Sequence, residues 1–311
     1  MIPSLVPGAR RVIVTRPAHD AGDWVWQLQQ SGFAAEALPL IDIAAASCAA
    51  DVQAVAKAWK TIDHYAGCMF VSGNAVRFFF EQKETLPQYL QGRPATNIVA
   101  IQQLESLPST LRFMAPGPGT AAALRAAGVP AAQIDAPPPD ADQFDSEALW
   151  KVVGQRDWQG RRVLVVRGVT GQAQEAQGAS KAGEISTTAE KRAVAPGRDW
   201  ITRQWQAAGG AVDFVVVYER RAPVWTPAQV SRARVASVDG SVWLFSSSEA
   251  VHHLTHLPGL EGVDWRRALA VATHPRITAT VRAAGWGVVA ESRPALTDIL
   301  STLRSIESGH P

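Results

Sequence analysis

The chain has 311 residues and a mass of 33.3 kDa, more than one ordinary core accommodates, so two domains are expected. Hydrophobic content of 47% against 19% charged residues excludes a disordered chain, and a net charge of +2 supplies no lysine-rich stripe for nucleic acid. No run reaches membrane-spanning length, Met1-Ile2-Pro3-Ser4 lacks a signal-peptide layout, and Cys48 and Cys68 form no close-spaced motif, so a cytoplasmic protein without nucleic-acid or membrane partners is expected.

In chain order, Arg11 to Val14 predicts a strand ended by Thr15-Arg16-Pro17, Asp23 to Ser31 a helix, and Ala35 to Leu40 a second strand. A helix is expected from Asp51 to Lys60. Cys68 to Val71 reads as a strand that turns through Ser72-Gly73-Asn74 into a helix from Ala75 to Gln82. Another strand, Leu111 to Ala115, turns through Gly117-Pro118-Gly119-Thr120 into the helix Ala121 to Ala127, closed by Gly128. Pro137-Pro138-Pro139 is a loop, and Asp145-Ser146-Glu147 caps a helix through Val153.

From Arg161 the order begins again. Val163 to Val166 is a strand ended by Arg167-Gly168, and the polar stretch Thr170 to Ala195 reads as a mobile insertion. A helix from Asp199 ends at Gly209-Gly210 and leads into Asp213-Phe214-Val215-Val216-Val217-Tyr218. That continuous apolar run predicts a strand buried on both faces, with Tyr218 at its carboxyl end, the edge where open α/β sheets bind ligands. Val242 to Phe245 is a strand turning at Ser246-Ser247-Ser248 into a helix at Ala250, and Ala268 to Thr273 one turning at His274-Pro275-Arg276 into a helix from Ile277 to Ala284.

The repetition is an internal duplication. Val14-Thr15-Arg16-Pro17 matches Val165-Val166-Arg167-Gly168, the turn at Ser72 matches that at Ser247, and Gly117 to Gly128 matches His274 to Gly285. Ile41 occupies in one copy the place of Tyr218 in the other. Each copy predicts a small doubly wound parallel α/β unit, and repeat order alone divides the chain near Arg156.

The turns at Ser72, Thr120, Ser247 and His274 put hydroxyls or backbone N–H groups at helix starts. Each alone is an ordinary N-cap; four on sheet edges suit an anionic ligand. Arg16 and Arg167, at equivalent strand ends, either add charge there or are solvated surface arginines. Gly117-Pro118-Gly119-Thr120 fits the dinucleotide glycine fingerprint only loosely, without the following acidic residue. His252, His253 and His256 have no accompanying carboxylate and read as a helix face, not a metal site.

Taken together, Val-Ile-Val-Thr-Arg-Pro at the start, Leu38-Pro39-Leu40-Ile41-Asp42-Ile43, the Ser72 and Ser247 turns, Gly117-Pro118-Gly119-Thr120, Val-Val-Tyr-Glu-Arg-Arg at Tyr218 and His274-Pro275-Arg276-Ile277 resemble uroporphyrinogen-III synthase over nearly the whole chain. The chain departs from the family where Thr170 to Ala195 separates Arg167-Gly168 from Gly197-Arg198. The resemblance implies interlaced domains: residues 1–39 with 221–311, and residues 43–218, joined by a two-segment hinge at 40–42 and 219–221. It implies cyclisation of hydroxymethylbilane with inversion of the last ring, without metal or cofactor. The implied setting is a monomer that takes a linear tetrapyrrole and makes transient contact with the preceding pathway enzyme. Tyr218 is then the candidate for assisting hydroxyl departure. Thr15, Arg16, Ser72, Gly73, Asn74, Gly117, Thr120, Arg167, Ser246, Ser247, His274 and Arg276 are candidates for holding the substrate. The alternatives are a non-catalytic two-domain sensor for an anionic small molecule and a nucleotide-dependent enzyme.

Overall fold

The computed structural model describes residues 10–91, 107–141, 143–170 and 198–309. The expected insertion, apart from Thr170, lies outside these residues. The chain divides into two compact units, one made of Met1–Ile43 and Arg221–Pro311, the other of Ala44–Arg220.

The first unit opens with β1 (Arg11–Val14), α1 (Ala18–Gln30) and β2 (Ala34–Ala37). β3 (Asp42–Ala45) enters the second sheet, followed by α2 (Ala49–Lys60), β4 (Gly67–Phe70), α3 (Gly73–Gln91), β5 (Arg112–Met114), α4 (Pro118–Ala126) and β6 (Ile134–Asp135). The second unit closes with α5 (Ser146–Val153), β7 (Arg162–Thr170), α6 (Arg198–Ala207) and β8 (Ala211–Arg221). The first unit resumes with α7 (Pro227–Ala236), β9 (Val242–Phe245), α8 (Ser248–Thr255), β10 (Leu269–Ala272), α9 (Pro275–Ala283), β11 (Val288–Glu291) and α10 (Leu296–Glu307). Among the described residues no helix is long and apolar enough to cross a membrane.

The sheet of the first unit has the order β11-β10-β9-β1-β2, all parallel. Its apolar runs bury both faces, as parallel strands must. Ile13, Trp243, Phe245, Ala270 and Ala272 enter one core, while Val12, Val14, Val242, Leu244 and Val271 enter the other. Successive residues thus alternate between cores with the strand period of two. Three tryptophans pack together: Trp243 crosses Trp265 and Trp286 edge-on at 5.5 and 6.5 Å, and Trp265 stacks on Trp286 at 4.4 Å. Such pairs contribute about 0.5–1.5 kcal/mol each beyond area burial. Trp26, by contrast, is exposed.

The sheet of the second unit has the order β3-β8-β7-β4-β5-β6. Read from β6, it repeats the first sheet strand for strand, with β6, β5, β4, β7 and β8 standing for β11, β10, β9, β1 and β2. The registers agree: Val14 faces Ala37 as Val165 faces Phe214. Helix ends repeat too. Gly128 and Gly285 take φ of 88° and 94°, and the following Val129 and Trp286 donate N–H back to Leu124 and Val281. These are left-handed helix caps that glycine adopts without a side-chain penalty. The duplication is therefore present in topology, register and caps.

The copies differ in three places that the sequence did not reveal. The second strand stops at Ala37, not Leu40: Pro39 has no N–H to give, and a separate strand begins at Asp42. Leu40 and Ile41 are buried in the core of the first unit. Arg167-Gly168 does not end its strand. Where β1 meets Pro17, Gly168 still pairs with Tyr218 after a register shift, and β7 runs on to Thr170. Tyr218 accordingly lies inside β8, and Glu219 and Arg220, expected as linker, pair with Val169 and Thr170. β8 also stands between β3 and β7 near one side of its sheet, and its first residues are partly exposed, so burial on both faces begins at Val215.

Candidate functional site

In each sheet the parallel strands bring the predicted turns to the carboxyl edge. In the second unit Ser72 follows β4, and its Oγ accepts from the N–H of Ala75 at 3.2 Å, capping α3. The same oxygen shares a 3.2 Å hydrogen bond with the phenolic oxygen of Tyr218. Gly73 and Asn74 form the first turn of α3, half-buried beside Ser72. The Tyr218 side chain is only 5% exposed; its ring stacks on Phe78, centroids 5.9 Å apart and planes 23° from parallel. The other face of the site is backbone. A Cβ at Gly168 would overlap Cζ and both Cε atoms of Tyr218. Hydroxyl, ring and glycine thus fix the phenol from three sides.

The remaining candidates of this unit fall differently. Gly117 caps α4 without a side chain, and Thr120 lies in the first turn of that helix at 7% exposure. Its counterpart in the duplicate, Ile277, is 5% exposed, so both point into cores. Arg167 is buried within β7, its guanidinium 4.7 Å over the Phe214 ring, and is not a solvated strand-end arginine.

In the first unit, Thr15 is buried and donates Oγ1–H to the carbonyl of Leu244 at 2.7 Å, joining β1 to β9. Arg16 lies 4.2 Å over the Trp24 ring. Burial lowers its pKa, with Asp20 working in the opposite direction, and its buried Nε has no hydrogen-bond partner among the described residues. Half-buried Ser246 precedes Ser247, whose Oγ accepts from the N–H of Glu249. His274 Nδ1 accepts from the N–H of Arg276 at 3.1 Å, and both residues are exposed. Ser72, Ser247 and His274 are therefore all N-caps at the carboxyl edges of their sheets.

His252 and His256 are exposed with ring centroids 4.2 Å apart, while His253 Nδ1 contacts the carbonyl of Leu40 at 2.6 Å. Among the described residues no group of three or more His, Cys, Asp or Glu side chains is arranged to hold a metal.

The family described as Uroporphyrinogen-III synthase HemD matches residues 22–190, more than half of the chain. The chain belongs to the uroporphyrinogen-III synthase family. It is thereby placed among the cyclising lyases of tetrapyrrole biosynthesis. No curated protein matches its sequence at a significant level. Among solved structures it is similar to uroporphyrinogen-III synthetase of Helicobacter pylori 26695, at 13% identity over 96% of this chain and 99% of that one, with a TM-score of 0.49. A mutant uroporphyrinogen III synthase of Thermus thermophilus is 15% identical over 96% and 98% of the two chains, with a TM-score of 0.45.

Sequence reasoning singled out Tyr218 and Ser72 but not that they bond to each other, and it missed Phe78, Gly168 as a steric partner, and Trp24. Phe78 was visible as the first of three consecutive phenylalanines in the second turn of α3. The role of Gly168 was hidden by its likeness to Pro17 in the other copy.

Proposed function

We propose that this chain cyclises hydroxymethylbilane with inversion of its last ring, and that Tyr218 assists departure of the terminal hydroxyl. The Ser72–Tyr218 hydrogen bond carries the reading, because it aims a buried phenol toward a half-buried turn at the carboxyl edge of its sheet. A neutral phenol can donate to the leaving oxygen as the C–O bond breaks, giving water and an electron-poor azafulvene. The last ring attacks through its substituted carbon, a spiro intermediate rearranges, and the proton lost when the macrocycle closes restores the phenol. Ring closure without inversion occurs unaided, so the protein's task is largely to hold one conformation of the chain. The caps at Ser72, Ser247 and His274, with the guanidinium of Arg16, suit the substrate's carboxylates. The reading includes a cytoplasmic monomer supplied by the preceding pathway enzyme, with a hinge where the chain passes between its two units.

The deciding experiment is incubation with hydroxymethylbilane followed by separation of the uroporphyrinogen isomers. The type III isomer is expected; formation of type I alone overturns the reading. Tyr218→Phe is expected to slow turnover by roughly 10²-fold or more while the protein stays folded. Wild-type turnover in that variant would remove Tyr218 from the chemistry. Ser72→Ala, which loses both the cap and the phenol's partner, is expected to lower turnover and raise KM, and an unchanged KM would remove Ser72 from substrate binding.

A further inference from the structure

The opposite edge of the second unit's sheet, where β4, β5 and β7 begin, holds a cavity of about 440 Å³ that the cyclisation does not use. Three guanidinium groups line it: Arg112, Arg156 and Arg161, with Thr110, Trp158 and Asp157. Arg112 donates Nε and Nη2 to the two oxygens of Asp135 at 3.0 and 2.6 Å, and Nη1 to the carbonyl of Ala132. Arg156 donates Nη1 and Nη2 to the same carboxylate at 2.6 and 2.7 Å. A guanidinium has five N–H groups, so each arginine keeps donors to spare, on side chains already held in place. Arg161 is exposed, and its guanidinium makes no hydrogen bond or ion pair with any described residue. The Asp157 carboxylate is turned back to accept from the N–H of Gln159 at 3.0 Å. Buried Trp158 donates its Nε1–H to the carbonyl of Val153 and contributes an apolar wall.

We propose that this cavity is a binding site for a small dianionic oxyanion, inorganic phosphate or the phosphate group of a phosphate ester, separate from the tetrapyrrole site. The lining carries three arginines and one carboxylate, Asp157, and even with the Asp135 carboxylate counted against Arg112 and Arg156, three positive charges against two negative leave a net positive charge for a ligand. Arginine's planar fork matches phosphate oxygens. Two of the three forks are fixed beforehand by Asp135, so ordering them on binding costs little further side-chain entropy. Arg161 is the mobile third arm, and the Thr110 hydroxyl is a neutral donor at the rim. A dianion gains more from this array than a monocarboxylate.

The test is thermal unfolding of the whole protein against inorganic phosphate or acetate, with chloride holding ionic strength constant. A ligand bound only by the native state raises the midpoint in a saturable way. Phosphate is expected to do so and acetate to do so much less. Arg161→Ala, and Arg161→Gln, which keeps part of the stem, are expected to weaken the phosphate response about tenfold while type III production without phosphate is unchanged. Ser72→Ala serves as the control for anions bound at the other sheet edge and should keep the response. Equal responses in wild type and the Arg161 variants, or equal effects of phosphate and acetate, overturn the proposal. So does loss of the response in Ser72→Ala, which would place the anion at the Tyr218 edge.

Discussion

Gly168→Ala is expected to lower both stability and turnover more than its single added methyl suggests. The new Cβ would occupy the space of the Tyr218 ring, which cannot back away because Phe78 stacks against it. Either β7 separates from β8 at the register shift or the phenol leaves Ser72. Overpacking of this kind typically costs about 1–3 kcal/mol, and losing the Ser72 hydrogen bond adds about 1 kcal/mol. Displacing a reacting hydroxyl by an ångström can cost about 10² in rate, so turnover should fall at least as far as in Tyr218→Phe. Thermal unfolding and the isomer assay measure the two effects. The double variant Gly168→Ala with Tyr218→Ala separates them, since removing the ring should remove most of the stability cost of the methyl. A Gly168→Ala protein with wild-type midpoint and rate would show that the ring is not confined there.

The same glycine shows where the sequence stopped being legible. Apolar runs such as Val242-Trp243-Leu244-Phe245 declared their strands because burial on both faces demands them. Turn and cap residues were equally readable: Ser72, Ser247, His274, Gly128 and Gly285 occupy equivalent positions in the two copies and do equivalent backbone work. Aligning the copies failed where one of them had been altered. Pro17 ends its strand, yet the residue matched to it, Gly168, continues one and makes room for Tyr218. The same comparison held a warning about Thr120, since the matching Ile277 faces a core and a hydroxyl at that position faces one too. Small-residue segments were read least well. Asp42-Ile43-Ala44-Ala45 has little strand signature by itself and becomes β3 only because β8 offers an edge.

The arginines of the 440 Å³ cavity were invisible for another reason: Arg112 lies far along the chain from Arg156 and Arg161, and only the folded sheet edge brings the three to one cavity. Two of them, Arg112 and Arg156, share the carboxylate of Asp135. Asp135 forms half of β6, a strand of two residues at the sheet edge, and its side chain is 5% exposed while Arg112 and Arg156 are 28% and 35% exposed. Burial works to raise the Asp135 pKa, but the hydrogen bonds and charges of Arg156 and Arg112 outweigh it and the pKa is lowered. Arg112 correspondingly shifts upward, mainly through its hydrogen bond to Asp135. Asp135→Ala leaves two guanidinium groups facing one another without a counter-charge. Breaking a fully buried pair costs about 3–5 kcal/mol; because both arginines reach solvent, about 2–3 kcal/mol is expected here. A carboxyl whose folded pKa is depressed contributes stability that is complete above its unfolded value, near 3.9, and is lost as pH falls through the lower folded value. Asp135→Asn should therefore be less stable than wild type at neutral pH, and its stability should fall less steeply on acidification because this carboxyl no longer takes up a proton. Denaturant unfolding of the two proteins from neutral to acid pH reads both effects. Parallel curves separated by a constant amount would show that Asp135 holds β6 by shape and not by charge.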